Sequence, residues 1–331
     1  MAIRKTSDFQ NDVTFTGYVF SMNFRTGVSR TTSKWHPNEA YISGNLHVAT
    51  DDNATNVVPI NFFVYEKRNN RDGGAVPNET YQTLKQLMDM PTFETAGTSA
   101  PKVRISGSVD TNDFYSTRTS SMVSAQRVSG RFVHIATPGL NVTPAGFDVN
   151  TIVTSTVERE EEGRDPFLDV RGYVFNYNGS RIFPVRFECR DQGGIDFLLG
   201  LDASSSNPVA VNLWGEIQTT LIVKQNEAEE AAVSGFGVRP TISGNQVSTL
   251  RSWVITGADT SGLSEFGTTD VFSSVGLKKL IDERNVRLEQ LKQSGIERAS
   301  GGAGFQTAKP AAKPRAAAKT SAEIYDDDLP F

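Results

Sequence analysis

The feature that most constrains the fold is an alternation of apolar and polar residues with a period of two, which runs from Val13 to about Val133. Clusters of Gly, Asn, Asp and Pro interrupt it. Because successive side chains of a β-strand point to opposite faces, this pattern predicts an all-β structure. We predict strands at 13–24, 41–50, 57–67, 102–109 and 121–136.

One helix is predicted within this series of strands. The segment NETYQTLKQLMDM (78–90) places Tyr81, Leu84, Leu87 and Met88 at helical spacing. Five strands with a helix between the third and the fourth is the order of an OB-fold barrel. That fold commonly binds oligonucleotides on the face of its strands 2 and 3.

The pattern then repeats. VVPINFFVYEK (57–67) is echoed by RIFPVRFECRD (181–191), and APKVRISGSV (100–109) by NPVAVNLWGEI (207–217), with Gly107 and Gly215 in corresponding places. GIDFLLGL (194–201) stands where the first helix stood, and TGYVFSMN (16–23) resembles RGYVFNYN (171–178). Echoes in the same order predict a tandem pair of OB-fold-like barrels. The first strand of the second barrel stays open, because either RGYVF or TIVTSTVERE (151–160) could supply it.

The character of the chain changes beyond about residue 262. GLKKLIDERNVRLEQLKQ (276–293) has a narrow apolar stripe at helical spacing and predicts a helix. From Ser294 to Thr320 the residues are mainly Gly, Ala, Lys and Pro, which predict a basic linker without a core. We therefore expect a first barrel at 1–140, a second at 148–260, a helix at 270–293 and a disordered, acidic-tipped tail at 294–331.

Catalytic motifs are missing from the sequence. There is no Walker loop, HExxH pair, nucleophile elbow or dinucleotide fingerprint. Cys189 is the only cysteine, and the three histidines lack ligand spacing. We expect a binding protein that is not an enzyme and uses neither cofactor nor metal. The N-terminus lacks the apolar segment of a secretory signal and no apolar run approaches the roughly 18 residues of a bilayer span, so the expected location is the cytoplasm.

The outward faces of the strands predict an interface for single-stranded nucleic acid, because they combine aromatic rings with cations. Bases stack on aromatic rings while the phosphates attract positive charge. Inward residues such as Ile60 and Phe62 would fill the barrel, which turns Phe63 and Tyr65 outward. In the first barrel and its loops the candidates are Phe24, Arg25, Arg30, Lys34, Trp35, Tyr41, Phe63, Tyr65, Lys67, Arg68, Arg71, Phe114, Tyr115 and Arg118. In the second barrel they are Arg171, Phe175, Tyr177 and Trp214.

A structural role competes with this interpretation at each position, because outward aromatic residues often pack beneath a helix, a loop or a second subunit. Trp253 and Tyr173 are the aromatic residues that we most expect to be structural. Loop Arg and Lys are ordinarily just solvated. The binding hypothesis therefore depends on the co-location of these residues.

The chain ends YDDDLPF (325–331). Its last six residues resemble the C-terminal tip of bacterial-type single-stranded DNA-binding proteins, in which an acidic run, an aliphatic residue, Pro and a terminal Phe close a disordered tail. The resemblance implies a protein that coats single-stranded DNA and docks replication, recombination and repair enzymes through this tip. The docking residues would be Asp326, Asp327, Asp328, Leu329, Pro330 and Phe331. The Phe331 ring would fill a partner pocket while its carboxylate meets an Arg.

Two barrels in one chain depart from the usual single barrel of that family, which puts the family's tetramer in doubt and leaves a homo-oligomer open. Divergence with an intact tip is typical of a phage or other mobile-element version, which would act in the host cytoplasm. Two other functions stay open. A β-rich structural or assembly protein of a virion would give no reason for the tip, and a tandem-barrel RNA-binding protein would have to contact the 2′-hydroxyl.

Overall fold

The computed structural model describes residues 9–33, 36–69, 74–137, 139–161, 164–224, 246–261, 263 and 273–301. The first half contains β1 (Asn11–Val28), β2 (Ala40–Ala49), β3 (Val57–Tyr65), β4 (Lys67–Asn69), β5 (Ala75–Pro77), α1 (Glu79–Leu87), α2 (Phe93–Ala96), β6 (Lys102–Ser116) and β7 (Ser121–Ile135). The second half contains β8 (Gly146–Arg159), β9 (Phe167–Phe175), β10 (Ile182–Cys189), α3 (Gln192–Gly200), β11 (Val209–Lys224), β12 (Gln246–Asp259) and α4 (Ser274–Gly301).

The first barrel closes in the predicted OB-fold order. Its strands follow β1-β2-β3-β7-β6, and β6 returns to pair with β1. The β3–β7 pair is parallel and the others are antiparallel. The inward residues predicted for β2 and β3, including Leu46, Ile60 and Phe62, are fully buried. Each such side chain stabilises the fold by about 1.5–3 kcal/mol relative to an exposed one.

Helix α1 lies between the third and fourth barrel strands, as predicted. Asn78 caps it, because its side-chain oxygen accepts a hydrogen bond from the Thr80 N–H at 3.1 Å. Tyr81, Leu84 and Leu87 are buried against the core. Met88, which was predicted to share this face, is instead the exposed C-cap residue.

The second barrel repeats the same order, β8-β9-β10-β12-β11, and β11 closes it on β8. Strand β8 is therefore its first strand, and RGYVF belongs to the second strand, β9. The similarity of The other two strand echoes do correspond, and Gly107 and Gly215 each lie at a register shift of the fourth strand.

The two barrels share one continuous sheet, because β1 pairs with β8. Val13 lies opposite Phe147, and on their other edges these two residues pair with Gly107 and Gly215. Val13 and Phe147 therefore hold the same position in their barrels. A local two-fold axis passes between them and relates the barrels.

Helix α4 covers part of the second barrel. Its Leu277 packs with Phe9, Ile152, Phe175 and Ile182 in a buried cluster. The helix continues to Gly301, so residues 294–301 are helical where a linker was predicted from Ser294. The rest of the predicted tail, with its tip, lies outside the described residues. None of the helices in the described part of the chain has the length and hydrophobicity that a bilayer crossing requires.

Candidate nucleic-acid interface

Four stacked rings lie on the outer face of β2 and β3. The Tyr41 and Phe63 ring centroids are 5.2 Å apart, those of Phe63 and Tyr65 are also 5.2 Å apart, and the His36 ring lies 4.0 Å from that of Tyr65. We call these four residues the aromatic cluster. Tyr41 and Tyr65 are buried within it, so the outward exposure predicted for them is wrong, whereas Phe63 is half-buried.

Strand pairing explains why these residues meet, because directly paired residues share one face of a sheet. Arg25 of β1 pairs with Ser43 of β2, and Ser43 pairs with Phe63 of β3. An exposed guanidinium therefore shares a row with the half-buried ring. The next row holds Asn45 and Asn61, whose amide groups lie 3.3 Å apart, Nδ2 of Asn61 donating to Oδ1 of Asn45.

Phe24, which was predicted to contact DNA, points the other way and packs against the core. The register of β1 shifts between Val19 and Ser21, which inverts the alternation beyond that point. Phe24 consequently pairs with Gly44, which itself pairs with the core residue Phe62.

The fourth and fifth strands of each barrel extend beyond it as a long hairpin. The first arm is the outer part of the β6–β7 pair, from Val109 and Val128 outward, and the second arm is the outer part of the β11–β12 pair, from Ile217 and Trp253 outward. Each arm reaches the other barrel. The Asn56 amide donates to the carbonyl of Ile217 and accepts from the Thr219 N–H, both at 2.9 Å.

The second arm brings a cation to the first barrel's face. Burial lowers the pKa of His47, and the positive charge of Arg251 on β12 lowers it further. The His47 Nδ1 lies 3.1 Å from the Ser21 hydroxyl. His47 is therefore a neutral hydrogen-bonding group at pH 7. Arg251 was not predicted, because no local pattern indicates which barrel an arm will reach.

The basic loop candidates lie partly at this face. Lys67 and Arg68 follow β3 and are exposed, and Arg30, in the loop between β1 and β2, is half-buried. Lys34, Trp35 and Arg71 lie outside the described residues.

Three other candidates lie on the first arm. Phe114 and Arg118 are exposed, and Tyr115 packs against α4 so closely that a Cβ on Gly295 would approach the Tyr115 Cβ to 2.5 Å. This arm contacts α4 and β10 of the second barrel. The structure therefore does not bring these three residues to the aromatic cluster, contrary to the prediction.

The aromatic candidates of the second barrel do not form a comparable cluster. Phe175 is 1% exposed, because Phe9 and Leu277 cover the outer face there, so its predicted outward exposure is wrong. Tyr177 is exposed in the turn after β9, and Trp214 is exposed but lies against Gly257. Trp253 is buried in the core and Tyr173 packs against the Phe175 cluster, as their structural interpretation predicted.

The corresponding face of the second barrel carries ion pairs instead of rings. Arg171, the last predicted candidate, donates to Asp169 at 2.8 Å through Nη2, and Arg186 donates to the same carboxylate at 2.8 Å through Nε. Burial would raise the pKa of Asp169, but the hydrogen bonds and charges of these two arginines lower it below its ordinary value. The Glu188 carboxylate accepts from Arg164 at 2.6 Å and from Arg190 at 2.8 Å.

Comparison with known proteins gives one family. A family model described as YorF matches residues 10–294. No curated protein sequence matches the chain.

Two solved structures of the single-stranded DNA binding protein from Thermus aquaticus share part of the architecture. A deletion mutant of that protein is 8% identical, with a TM-score of 0.44 over 77% of this chain and 95% of that one. The wild-type protein is 8% identical, with a TM-score of 0.42 over 77% of this chain and 94% of that one. Likenesses of this strength say nothing of what this chain binds.

Proposed function

The chain belongs to the YorF family, and we propose from its surface that it is a non-enzymatic protein that binds and coats single-stranded DNA. The observation that carries this proposal is the row formed by Arg25, Ser43 and Phe63 across β1, β2 and β3. It places a cation beside an accessible ring on the barrel face that OB-folds commonly use for oligonucleotides.

The row supports binding without strong sequence preference. A base can stack on Phe63 while Arg25 neutralises the adjoining phosphate, and each such stack contributes about 1–3 kcal/mol. The amides of Asn45 and Asn61 in the next row can hydrogen-bond base edges. Lys67 and Arg68 extend the positive charge beyond β3. Duplex DNA should bind less well, because its bases are already stacked on each other.

The C-terminal tip gives the protein a second task in this proposal. Asp326, Asp327 and Asp328 would meet a basic rim on a partner, and Phe331 would fill its pocket. The partners would be enzymes of replication, recombination and repair in the bacterial cytoplasm. The protein would be phage-encoded, and it would act as a monomer or as a homo-oligomer of these two-barrel chains.

Photo-crosslinking tests the proposed site. The full chain is irradiated with an oligonucleotide carrying 5-iododeoxyuridine, and the crosslinked peptides are identified by mass spectrometry. We expect crosslinks at Phe63 and its neighbours in the aromatic cluster, which unlabelled single strand removes and duplex does not. Crosslinks confined to Tyr177 or Trp214 would contradict this site, and removal by RNA of the same sequence at lower concentration would favour an RNA-binding protein.

A further inference from the structure

We infer that the outer face of the second barrel is a second binding surface, which takes the phosphates of the strand but does not stack its bases. This inference rests on the proposed function and assigns different tasks to the two barrels. The surface is the arginine network, defined as Arg159, Arg164, Arg171, Arg186 and Arg190 with the carboxylates Asp169, Glu161 and Glu188.

Two buried carboxylates hold the guanidinium groups in place. The Asp169 side chain is fully buried and binds Arg171 and Arg186, with the Nε of Arg159 at 3.5 Å. Glu188 is also buried, and it binds Arg164 and Arg190. A guanidinium has five N–H donors, so these contacts leave donors that can face a ligand. The side chains of Arg171 and Arg186 are 52% and 48% exposed.

The network has more positive than negative charge. Five arginines face three carboxylates, which leaves an excess of two positive charges among these groups. Glu161 is the accessible carboxylate, since it lies on the β8–β9 loop 2.7 Å from Arg164 and 3.8 Å from Arg186. Its oxygens bind where phosphate oxygens would bind, so Glu161 competes with the ligand. Glu158, Glu160 and Asp165 on the same loop limit the affinity further.

The first arm adds an unused donor next to the network. Gln126 accepts the Arg186 backbone N–H through Oε1 at 2.8 Å. Its Nε2 is buried and has no hydrogen-bond acceptor among the described residues. A buried donor without an acceptor is unfavourable. A phosphate oxygen bound beside Arg186 is the kind of group that would satisfy it once the arm shifts.

Stacking is not available at this face. Counting from the pair Val48 and Val58 in the first barrel and Gly172 and Val185 in the second, Phe63 corresponds to Arg190 and Tyr65 to Gln192. The ring that does lie here, Phe167, is buried beneath the Arg164 guanidinium at 4.6 Å. The face therefore has donors for phosphates and no accessible ring at the positions that carry rings in the first barrel.

The test uses the full chain and two labelled probes of equal length, an oligothymidylate and an abasic deoxyribose-phosphate strand. The double variant Arg171→Gln, Arg190→Gln leaves Asp169 with Arg186 and Glu188 with Arg164. The matched control is Lys85→Gln, Lys278→Gln, which removes the same charge from exposed helix positions. Affinities are measured over a series of salt concentrations.

We expect the arginine double variant to bind both probes on the order of tenfold more weakly at low salt. Its slope of log affinity against log salt should fall by about 0.7 for each phosphate that the variant no longer neutralises. The lysine control should change little, and Glu161→Gln should tighten both probes. Phe63→Ala should weaken the oligothymidylate alone.

Equal behaviour of the arginine and lysine double variants would overturn this inference, and so would a weakening confined to the oligothymidylate. If the arginine variant fails to fold by circular dichroism, Glu161→Gln decides, because an unchanged affinity for the abasic strand would overturn the inference. Failure of the wild-type chain to bind oligothymidylate would instead contradict the proposed function itself.

Discussion

Asn61 in β3 and Glu188 in β10 occupy the same position in the two barrels, yet Asn61 bonds a neighbouring amide whereas Glu188 is held by two arginines. Asn61 pairs with Asn45 of β2 and lies beside β7, just as Glu188 pairs with Asp169 of β9 and lies beside β12. The repeated strand order therefore carries two different surfaces. Each surface should respond to substitution in its own way.

Phe63→Ala should weaken binding of single-stranded DNA by about 1–3 kcal/mol, because it removes the accessible ring of the aromatic cluster. Fluorescence anisotropy with a labelled oligothymidylate measures the change. Tyr177→Ala is the matched control, since Tyr177 is 80% exposed and lies in the turn beyond β9. Equal weakening in the two variants would contradict the assignment of the site to the first barrel.

The sequence predicted the barrels well, because the alternation in β2 and β3 is uninterrupted and reports directly which side chains are inward. It failed at Phe24, since the register shift between Val19 and Ser21 inverts the alternation without any local signal. It also failed at Phe175, which is covered by Phe9 and Leu277 from distant parts of the chain. Such coverage depends on tertiary packing.

The contribution of Arg251 was missed for the same reason. Its proximity to His47 requires the second arm to cross from one barrel to the other, and spacing along the sequence does not encode that path. The arginine network was missed as well. Its residues come from β8, the β8–β9 loop, β9 and the end of β10, and only the pairing of these strands brings them together.

Asp169→Asn should destabilise the protein by about 1–3 kcal/mol at pH 7, because it removes the buried acceptor of Arg171 and Arg186. The folded pKa of Asp169 lies below the unfolded one, so its stabilisation is present above the unfolded pKa near 3.9 and is lost as pH falls through the folded pKa. Urea unfolding of both proteins from pH 7 to pH 3 should show the difference between them shrinking. A difference that stays constant would exclude this role for the carboxylate.

Asn56→Ala should loosen the contact between the second arm and the first barrel. It removes the two hydrogen bonds that join Asn56 to Ile217 and Thr219, at a cost of about 1–3 kcal/mol for partners left unsatisfied. Differential scanning calorimetry should show a lower or broader transition as the barrels unfold less cooperatively. Asn53→Ala, an exposed change in the same loop, should leave the transition in place; matching shifts in both variants would point to the loop rather than the contact.

Truncation of residues 323–331 should abolish capture of replication and repair enzymes by the immobilised protein. It should also tighten DNA binding at low salt, because Glu323, Asp326, Asp327 and Asp328 no longer compete with phosphates for the basic face. A matched control replaces Phe331 by Ala, which should abolish capture without tightening DNA binding. Weaker DNA binding by the truncated chain would contradict the competition.

The central claim is tested most directly by titrating the full chain with fluorescent oligothymidylate and with duplex DNA of equal length, each at low and at high salt. We predict tight binding of the single strand at low salt, a steep fall at high salt, and much weaker binding of the duplex. Equal affinity for the two probes, or no binding of oligothymidylate at low salt, would contradict the claim that this protein coats single-stranded DNA.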